Sequence, residues 1–222
     1  MPFLSVIIPT LNEAENIPAT LSCFREAGVD EVIVVDGGSD DETFAVASAS
    51  GYQVLKCSEP GRASQMNLGA RAASGEVLLF VHGDTLIPEA TLMKLIAEMK
   101  GDPDLIGGGF ARRFESSSLL LRFTARCADF RGQWWGLFLG DQGIFVRRTV
   151  FEKLGGFDET VSPGEDLDFS YRMAKAGRTR LIGPPVLSSA RRFEKRGPWR
   201  QTRLDMAAAS QILRDSKRRA SS

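Results

Sequence analysis

The chain has 222 residues, 43% of them hydrophobic and 25% charged, and its 28 basic and 28 acidic side chains give a formal net charge of zero. This composition is typical of a water-soluble globular domain, and no apolar run approaches the roughly 20 residues that cross a bilayer. The three cysteines show no Cys-x-x-Cys spacing, which argues against a disulfide framework or a zinc site. We therefore predict a cytoplasmic domain without a signal peptide.

The first 100 residues alternate between strand and helix patterns. Apolar, β-branched runs predict strands at 4–9, 31–36, 52–57 and 77–81. Helices are predicted to begin near residues 12, 41, 61 and 88, the first two at capping boxes formed by Asn12 with Glu15 and by Ser39 with Glu42. This alternation predicts right-handed crossovers and a mainly parallel sheet flanked by helices.

The second half is less regular. We predict a glycine-bearing strand at 105–114, a helix at 119–130, a loop entering a strand at 140–147, a short helix at 150–154, a helix at 166–176 and an amphipathic helix at 198–214. Residues 1–190 are expected to form one α/β domain, and residues 191–222 a basic helix and tail.

Charge is distributed unevenly along the chain. Residues 1–177 hold 16 Lys/Arg and 25 Asp/Glu, a balance of −9, whereas residues 178–222 hold 12 and 3, a balance of +9. The basic C-terminus is expected to meet phosphate groups or the inner face of a membrane, as a peripheral contact. Nothing in the sequence resembles a nucleic-acid recognition module, so nucleic acid is not expected as a partner.

An acidic side chain next to a glycine lies at or just beyond the end of two predicted strands. Asp36 closes the strand at 31–36, and His82, Gly83 and Asp84 follow the strand at 77–81. Ligands of open α/β sheets bind beyond the carboxyl ends of the strands, so these residues are expected to line one crevice. A carboxylate such as Asp84 suits Mg²⁺ or Mn²⁺, which would neutralise a departing diphosphate.

The usual phosphate loops are absent from the sequence. There is no Gly-x-Gly-x-x-Gly after the first strand and no Gly-x-x-x-x-Gly-Lys-Ser/Thr, and the single histidine makes a hydrolase triad unexpected. Arg62, at a predicted helix N-terminus, would either bind an anion or lie exposed on a surface turn. Glu165 and Asp166 open another helix, where acids either complement the helix dipole or act as a general base.

Six segments, taken in order, resemble family 2 glycosyltransferases of the GT-A fold. The resemblance extends over roughly residues 3–190, and its segments are SVIIPTLNE (5–13), VDGGSDDET (35–43), GRASQMNLG (61–69), FVHGDT (80–85), GGFD (155–158) and ED (165–166). It implies inverting transfer of a sugar from a nucleoside diphosphate donor, with Mg²⁺ or Mn²⁺. His82 replaces the first aspartate of the family's Asp-x-Asp, as in a short soluble subgroup, which leaves the metal's identity open.

The resemblance also implies residue roles. Asp84 would hold the metal, and Asp166, beside Glu165, would be the general base. The nucleotide would be bordered by Pro9, Thr10, Glu13, Asp36, Arg62, Asn67 and His82. The acceptor would meet Asp141, Gln142 and Trp135, and the diphosphate would be covered by Arg191 and Arg192.

Alternatives remain for several of these assignments. The Asp141–Gln142 pair also suits a polar turn, and the Arg191–Arg192 pair suits a solvated basic run. Trp134 and Trp135 would line an acceptor pocket, meet a membrane, pack in the core or form a dimer contact, so a homodimer stays open.

Three functions are compatible with these patterns. The leading hypothesis is an inverting glycosyltransferase that uses a UDP- or GDP-sugar and an unidentified hydroxyl acceptor. A non-catalytic nucleotide-sugar binding protein would share the donor site. A sugar-1-phosphate nucleotidyltransferase would need a glycine-rich, arginine-bearing loop after the first strand, which residues 10–13 do not supply.

Overall fold

A computed structural model of the chain describes residues 2–59, 61–114, 116, 118–161, 163–189, 210 and 214. Its strands are β1 (Leu4–Thr10), β2 (Glu31–Asp36), β3 (Gln53–Lys56), β4 (Val77–Phe80), β5 (Thr85–Leu86), β6 (Leu105–Phe114), β7 (Ile144–Arg147) and β8 (Arg178–Ser188). Its helices are α1 (Ile17–Glu26), α2 (Thr43–Ser48), α3 (Arg62–Ala72), α4 (Glu89–Gly101), α5 (Leu119–Trp135), α6 (Arg148–Lys153) and α7 (Glu165–Ala176), with a 3-10 turn at Gly140–Gln142.

The strands form one sheet in the order β3-β2-β1-β4-β7-β6-β8-β5. In the first four strands, which we call the parallel half, every pairing is parallel. The remaining four strands form the mixed half: β7 is antiparallel to both β4 and β6, β8 is parallel to β6, and β5 is antiparallel to β8. The predicted α/β class with a mainly parallel sheet is confirmed.

Successive side chains of the central strands point to opposite faces of the sheet, and both faces are apolar, which explains why helices cover both. In β1, Val6 and Ile8 pack into a core layer shared with α1 and α4, whereas Ile7 packs into the opposite layer with α3, α6 and α7. All three side chains are fully buried, as expected for a strand covered on both faces. With both faces covered, the loops at the strand ends are left to form a site.

Both predicted capping boxes are wrong. Helix α1 begins at Ile17, because Asn12 adopts a φ of 57° and its side-chain oxygen accepts the backbone N–H of Asp40 at 2.9 Å. Helix α2 begins at Thr43, and the Ser39 hydroxyl instead donates to the Asp36 carboxylate at 2.5 Å. Ser39 Oγ also accepts the backbone N–H of Asn12 at 2.9 Å. These polar side chains therefore tie together the loops that follow β1 and β2.

The mixed half departs furthest from the predicted elements. Strand β8 has no predicted counterpart, since it contains Pro184 and Pro185, which have no N–H to donate. The prolines fall in an irregularity of the β6–β8 register, where the pairing passes from Ile182 to Val186. Helix α5 continues five residues beyond its predicted end at residue 130 and stops at Gly136, whose φ is 63°.

The predicted helix at 198–214 lies outside the described residues, apart from Ser210 and Arg214. Among the described helices, none combines the length and the hydropathy needed to cross a membrane.

Candidate active site

The carboxyl ends of β1, β2 and β4 bring several predicted site residues to one edge of the sheet. Thr10 and Asp36 are register partners at the ends of β1 and β2. Gly83, in the loop after β4, packs against the side chains of Thr10 and Glu13, since a Cβ on this glycine would lie 3.2 Å and 3.3 Å from them. The Thr20 hydroxyl donates to the Gly83 carbonyl at 2.9 Å and fixes the loop from α1. The loops that follow β1, β2 and β4 thus meet at one edge of the sheet.

Asp36 organises the loop in which it lies. Its Oδ2 accepts the backbone N–H groups of Gly38 and Ser39, both at 3.1 Å, and its Oδ1 accepts the Ser39 hydroxyl. The residue is 2% exposed. An ionised carboxylate has roughly four acceptor positions, so about one remains for a ligand.

Gln65 is a site-forming residue that the sequence analysis missed. Its Nε2 donates to the carbonyls of Thr10 and Val35, both at 2.8 Å, and thereby joins α3 to the ends of β1 and β2. The same side chain lies against Gly37, where an added Cβ would come within 2.8 Å of it. The sequence held one indication of this role: Gln65 lies one helical turn after Arg62, and residues three apart lie on the same side of a helix.

The antiparallel entry of β7 brings the turn at Gly140–Gln142 to the end of β4. Phe80, the last residue of β4, is paired with Ile144, the first residue of β7, so the turn at Gly140–Gln142 lies beyond β4 as well. Gly140 donates its backbone N–H to Asp166 Oδ2 at 2.5 Å. A Cβ on Gly140 would lie 2.4 Å from His82 Nε2 and 3.1 Å from Asp166 Oδ2. The imidazole and the carboxylate therefore flank one glycine.

The surroundings of Asp166 favour its protonated form. Burial raises the pKa of the Asp166 carboxyl above its usual range, and the negative charge of Glu165 raises it further. The N–H of Gly140, the charge of Arg62 and the N–H of Leu167 lower the pKa but do not reverse the rise. A raised pKa makes the ionised carboxylate a stronger proton acceptor, as a general base requires.

Glu165 and Arg62 pair with each other. Glu165 is 3% exposed, its Oε1 lies 3.3 Å from Arg62 Nη1, and its Oε2 accepts the Gly164 N–H at 2.9 Å. With both carboxylate oxygens engaged, Glu165 suits a positioning role better than that of a second base. The Arg62 side chain is 45% exposed, which leaves it accessible to an anion.

Asp141 and Gln142 fix the turn at Gly140–Gln142 through contacts with other elements. Asp141 forms an ion pair with Arg112, which is 7% exposed, and its carbonyl accepts the Ser188 hydroxyl at 2.6 Å. Gln142 is fully buried, donates to the Phe110 carbonyl at 3.2 Å and accepts from Arg131 Nη2 at 3.2 Å. Burial lowers the pKa of the Arg131 guanidinium. The Gln142 side chain therefore shapes the turn, and its contact with an acceptor stays a prediction.

Asn67 is also occupied within the chain. Its amide accepts the Phe157 N–H at 2.9 Å and donates to the Phe157 carbonyl at 2.9 Å and to Glu159 at 2.8 Å. In this structure the amide links α3 to residues 157–159, and its contact with a nucleotide stays a prediction.

The remaining assignments lie outside this cluster. Trp134 and Trp135 are 70% and 61% exposed at the end of α5, so the core alternative is wrong for both. Pro9 is buried inside β1 and shapes the strand end. Arg191 and Arg192 fall outside the described residues.

A divalent cation would depend mainly on Asp84. No group of three or more His, Cys, Asp or Glu side chains suited to a metal occurs among the described residues. Mg²⁺ commonly binds through one or two carboxylates together with substrate phosphates, so a single strand-end carboxylate fits a cation that arrives with a diphosphate. His82 would suit Mn²⁺ better than Mg²⁺ as an additional ligand.

Comparisons with known proteins agree on one family. A family model described as glycosyl transferase family 2 matches residues 5–155. Glycosyltransferase AglE of Haloferax volcanii is 29% identical over 215 residues, which cover 84% of this chain and 66% of that protein. A PGL/p-HBAD biosynthesis glycosyltransferase of Mycobacterium bovis is 31% identical over 192 residues, which cover 77% and 69%. The chain thus spans about two thirds of these relatives.

Solved structures support the GT-A fold. The mannosyltransferase PcManGT from Pyrobaculum calidifontis, in complex with GDP-Man and Mn²⁺, superposes with a TM-score of 0.69 at 26% identity, covering 85% of this chain and 56% of that chain. S. aureus TarS 1–349 superposes with a TM-score of 0.64 at 20% identity, covering 84% and 60%, a likeness of fold alone. The predicted fold is confirmed.

Proposed function

The chain belongs to glycosyl transferase family 2, and on this premise we propose that it moves a sugar from a nucleoside diphosphate donor to a hydroxyl acceptor with inversion. The observation that carries the proposal is the junction at Gly140, whose backbone N–H donates to Asp166 and whose Cα side lies against the His82 imidazole. A carboxylate between a nucleotide crevice and an open acceptor side is where a general base is needed.

Asp166 acts as that base. In its ionised form it takes the proton of the acceptor hydroxyl while the hydroxyl oxygen attacks the anomeric carbon and the diphosphate leaves on the opposite side. A single displacement of this kind inverts the configuration. The N–H groups of Gly140 at 2.5 Å and of Leu167 at 2.7 Å orient the carboxylate, which matters because small misplacements of reacting groups slow the reaction strongly.

The donor lies along the parallel half, with Thr10, Glu13 and Asp36 around the nucleotide and Arg62 near the phosphates. Asp84, with His82 beside it, would hold Mn²⁺ or Mg²⁺. The cation would stabilise the negative charge of the leaving diphosphate. A UDP- or GDP-sugar is the proposed donor, supported by the GDP-Man and Mn²⁺ bound to the Pyrobaculum enzyme.

The wider setting remains a set of predictions. These are a cytoplasmic location, a homodimer, closure of Arg191 and Arg192 over the diphosphate, and peripheral membrane contact through the basic C-terminus. The two arginines and nearly all of residues 191–222 lie outside the described residues.

A donor screen tests the proposal. Purified protein is incubated with UDP- and GDP-sugars with and without Mn²⁺, and release of the nucleoside diphosphate is measured. We expect slow donor hydrolysis that Asp166→Asn lowers by about 100-fold without loss of nucleotide binding. Asp84→Asn should remove the Mn²⁺ dependence of nucleotide binding. Asp104→Asn, an exposed aspartate between α4 and β6, is the matched control and should behave as wild type.

Each alternative predicts a different result from the same samples. Nucleotide binding without turnover of any donor would favour the non-catalytic binding protein. Formation of pyrophosphate from a sugar 1-phosphate and a nucleoside triphosphate would favour the nucleotidyltransferase. Full activity of Asp166→Asn would contradict the assigned base.

A further inference from the structure

The outward face of α5 exposes five large apolar side chains. Their exposed fractions lie between 55% and 76%, and the residues are Leu119, Phe123, Phe130, Trp134 and Trp135. The first four recur at helical spacing and share one side of the helix. The opposite side, with Leu121, Ala125, Ala128 and Gly132, is buried against the protein. We call the five exposed residues the α5 stripe.

An exposed apolar surface of this kind indicates a binding site. Folded monomers rarely expose large contiguous apolar patches unless the patch meets a partner or a membrane. The aromatic members also contact one another: the Phe130 ring lies 6.0 Å from that of Trp134 and 5.9 Å from that of Trp135. Phe130, Trp134 and Trp135 therefore form an exposed aromatic cluster at the C-terminal end of the helix.

The charges beside the stripe have one sign. The exposed charged side chains of α5 are Arg122 and Arg126, and the preceding strand adds the exposed Arg113. The acid of this helix, Asp129, is only partly exposed, and its Oδ1 accepts the Arg112 N–H at 3.1 Å. A cationic surface thus lies on a region of the chain, residues 1–177, whose balance is −9.

We propose that the α5 stripe docks on the surface of a bilayer that contains anionic lipids, with α5 lying in the interfacial plane. Trp, Phe and Leu side chains enter the boundary between headgroups and acyl chains, and flanking arginines pair with anionic headgroups. The helix lies on the bilayer rather than crossing it, since none of the described helices is suited to span.

A second copy of the chain fits this face less well. A two-fold dimer places the same patch of each copy against the other, so Arg122 and Arg126 would approach their own counterparts. No exposed acid on α5 is present to compensate them. An anionic lipid surface supplies the missing charge.

The stripe lies next to the acceptor side of the proposed site. Arg131, within α5, donates to the Leu137 carbonyl at 3.1 Å and to Gln142 Oε1 at 3.2 Å. The helix and the turn before β7 therefore form one continuous unit. Docking does not depend on sugar transfer, so Asp166→Asn should bind vesicles as wild type does, and failure of either proposal leaves the other testable.

Vesicle sedimentation with the full chain tests the docking. The probes are phosphatidylcholine vesicles with and without phosphatidylglycerol. Phe123→Ser with Trp134→Ser should weaken binding to the anionic vesicles by at least about tenfold. Arg122→Gln with Arg126→Gln should weaken it by about tenfold on anionic vesicles only. Met93→Ser with Lys94→Gln, an exposed pair on α4, is the matched control and should leave binding unchanged.

Fluorescence locates the contact. The chain has three tryptophans, and in a Trp199→Phe background the emission comes from Trp134 and Trp135 alone. We expect a blue shift of this emission when anionic vesicles are added. Thermal unfolding of the α5 and α4 double variants should match wild type, because their substituted side chains are exposed.

Three results would overturn the proposal. The first is absence of wild-type binding to anionic vesicles at low salt. The second is unchanged binding by both α5 double variants, which would assign membrane contact to another surface. The third is that the α5 double variants lose a self-association that wild type shows in sedimentation velocity while they still bind vesicles. This result would assign the stripe to contact with a second copy of the chain.

Discussion

The parallel and mixed halves of the sheet hold their polar side chains by different means. In the parallel half, short polar residues bond to nearby backbone groups, with Asp36 holding its own loop and Asn12 and Ser39 each accepting an N–H from the neighbouring loop. In the mixed half, the turn before β7 rests on buried side chains far apart in sequence, including the Arg112–Asp141 ion pair and Gln142. Substitutions in the mixed half should therefore affect stability and transfer together.

Loss of Arg112 should have the largest effect. The Arg112→Ala variant leaves the partly buried Asp141 without its ion-pair partner, which should lower the free energy of unfolding by about 3 kcal/mol. Urea unfolding measures this change. Arg113→Ala, at the next and exposed position of β6, should stay within about 0.5 kcal/mol of wild type. Equal effects of the two variants would mean that the buried pair does not support the mixed half.

Gly140→Ala should separate donor binding from transfer. Its Cβ would lie 2.4 Å from His82 Nε2 and 3.1 Å from Asp166 Oδ2, so the base or the imidazole must move. We expect about a 100-fold fall in transfer rate with a much smaller change in nucleotide affinity, because the loops after β1 and β2 are not disturbed. Steady-state kinetics and nucleotide titration check this. Gly101→Ala, where an added Cβ meets nothing within 4 Å, is the control.

Asn67→Ala should cost stability rather than donor affinity. The substitution removes three hydrogen bonds and leaves the Phe157 N–H and carbonyl without partners, at a cost of about 1–3 kcal/mol. Thermal unfolding and nucleotide titration distinguish the two effects, with the exposed Arg71→Ala on the same helix as control. A selective loss of nucleotide affinity would restore Asn67 to the donor site.

The smallest expected effect is a pH-dependent contribution of Asp166 to the free energy of unfolding. Folding raises the pKa of this carboxyl, so the folded state favours the protonated form, and the wild-type residue reduces stability as pH rises through that raised pKa. The neutral amide that Asp166→Asn introduces resembles the protonated acid. The variant should therefore be slightly more stable than wild type at neutral pH, and the difference should vanish below the pKa of an unfolded aspartate, about 3.9.

Denaturant unfolding across pH measures the difference, and Asp104→Asn should follow wild type throughout. A stability difference that grows as pH falls would contradict the assigned direction of the pKa shift.

The sequence was sufficient for most of the parallel half because its signals are local. The apolar runs of β1, β2 and β4 determined the strands, and their carboxyl ends located Asp36 and Asp84. The mixed half depends on contacts that local patterns do not encode. Gly140 meets Asp166 across 26 residues, and Arg112 meets Asp141 across 29. Strand β8 was missed because its two prolines oppose a strand pattern.

Motif resemblance had a different limit. It selected Asn67 and Gln142 by position, but a position does not reveal which partner a buried amide satisfies. Both amides are bonded within the chain, and Gln65, which joins α3 to two strand ends, carries no comparable signature.

The antiparallel pairing of β4 with β7 returns the chain to the parallel half. Residues 105–142 leave that half after α4 and return to it at β7, and we expect this segment to be exchangeable as a cassette. We expect a chimera carrying this cassette from a relative to inherit the acceptor preference of the relative while keeping its own nucleotide preference. Assays with two donors and two acceptors would reveal whether the two preferences segregate, and such segregation would let new acceptor specificities evolve, or be engineered, without rebuilding the nucleotide crevice.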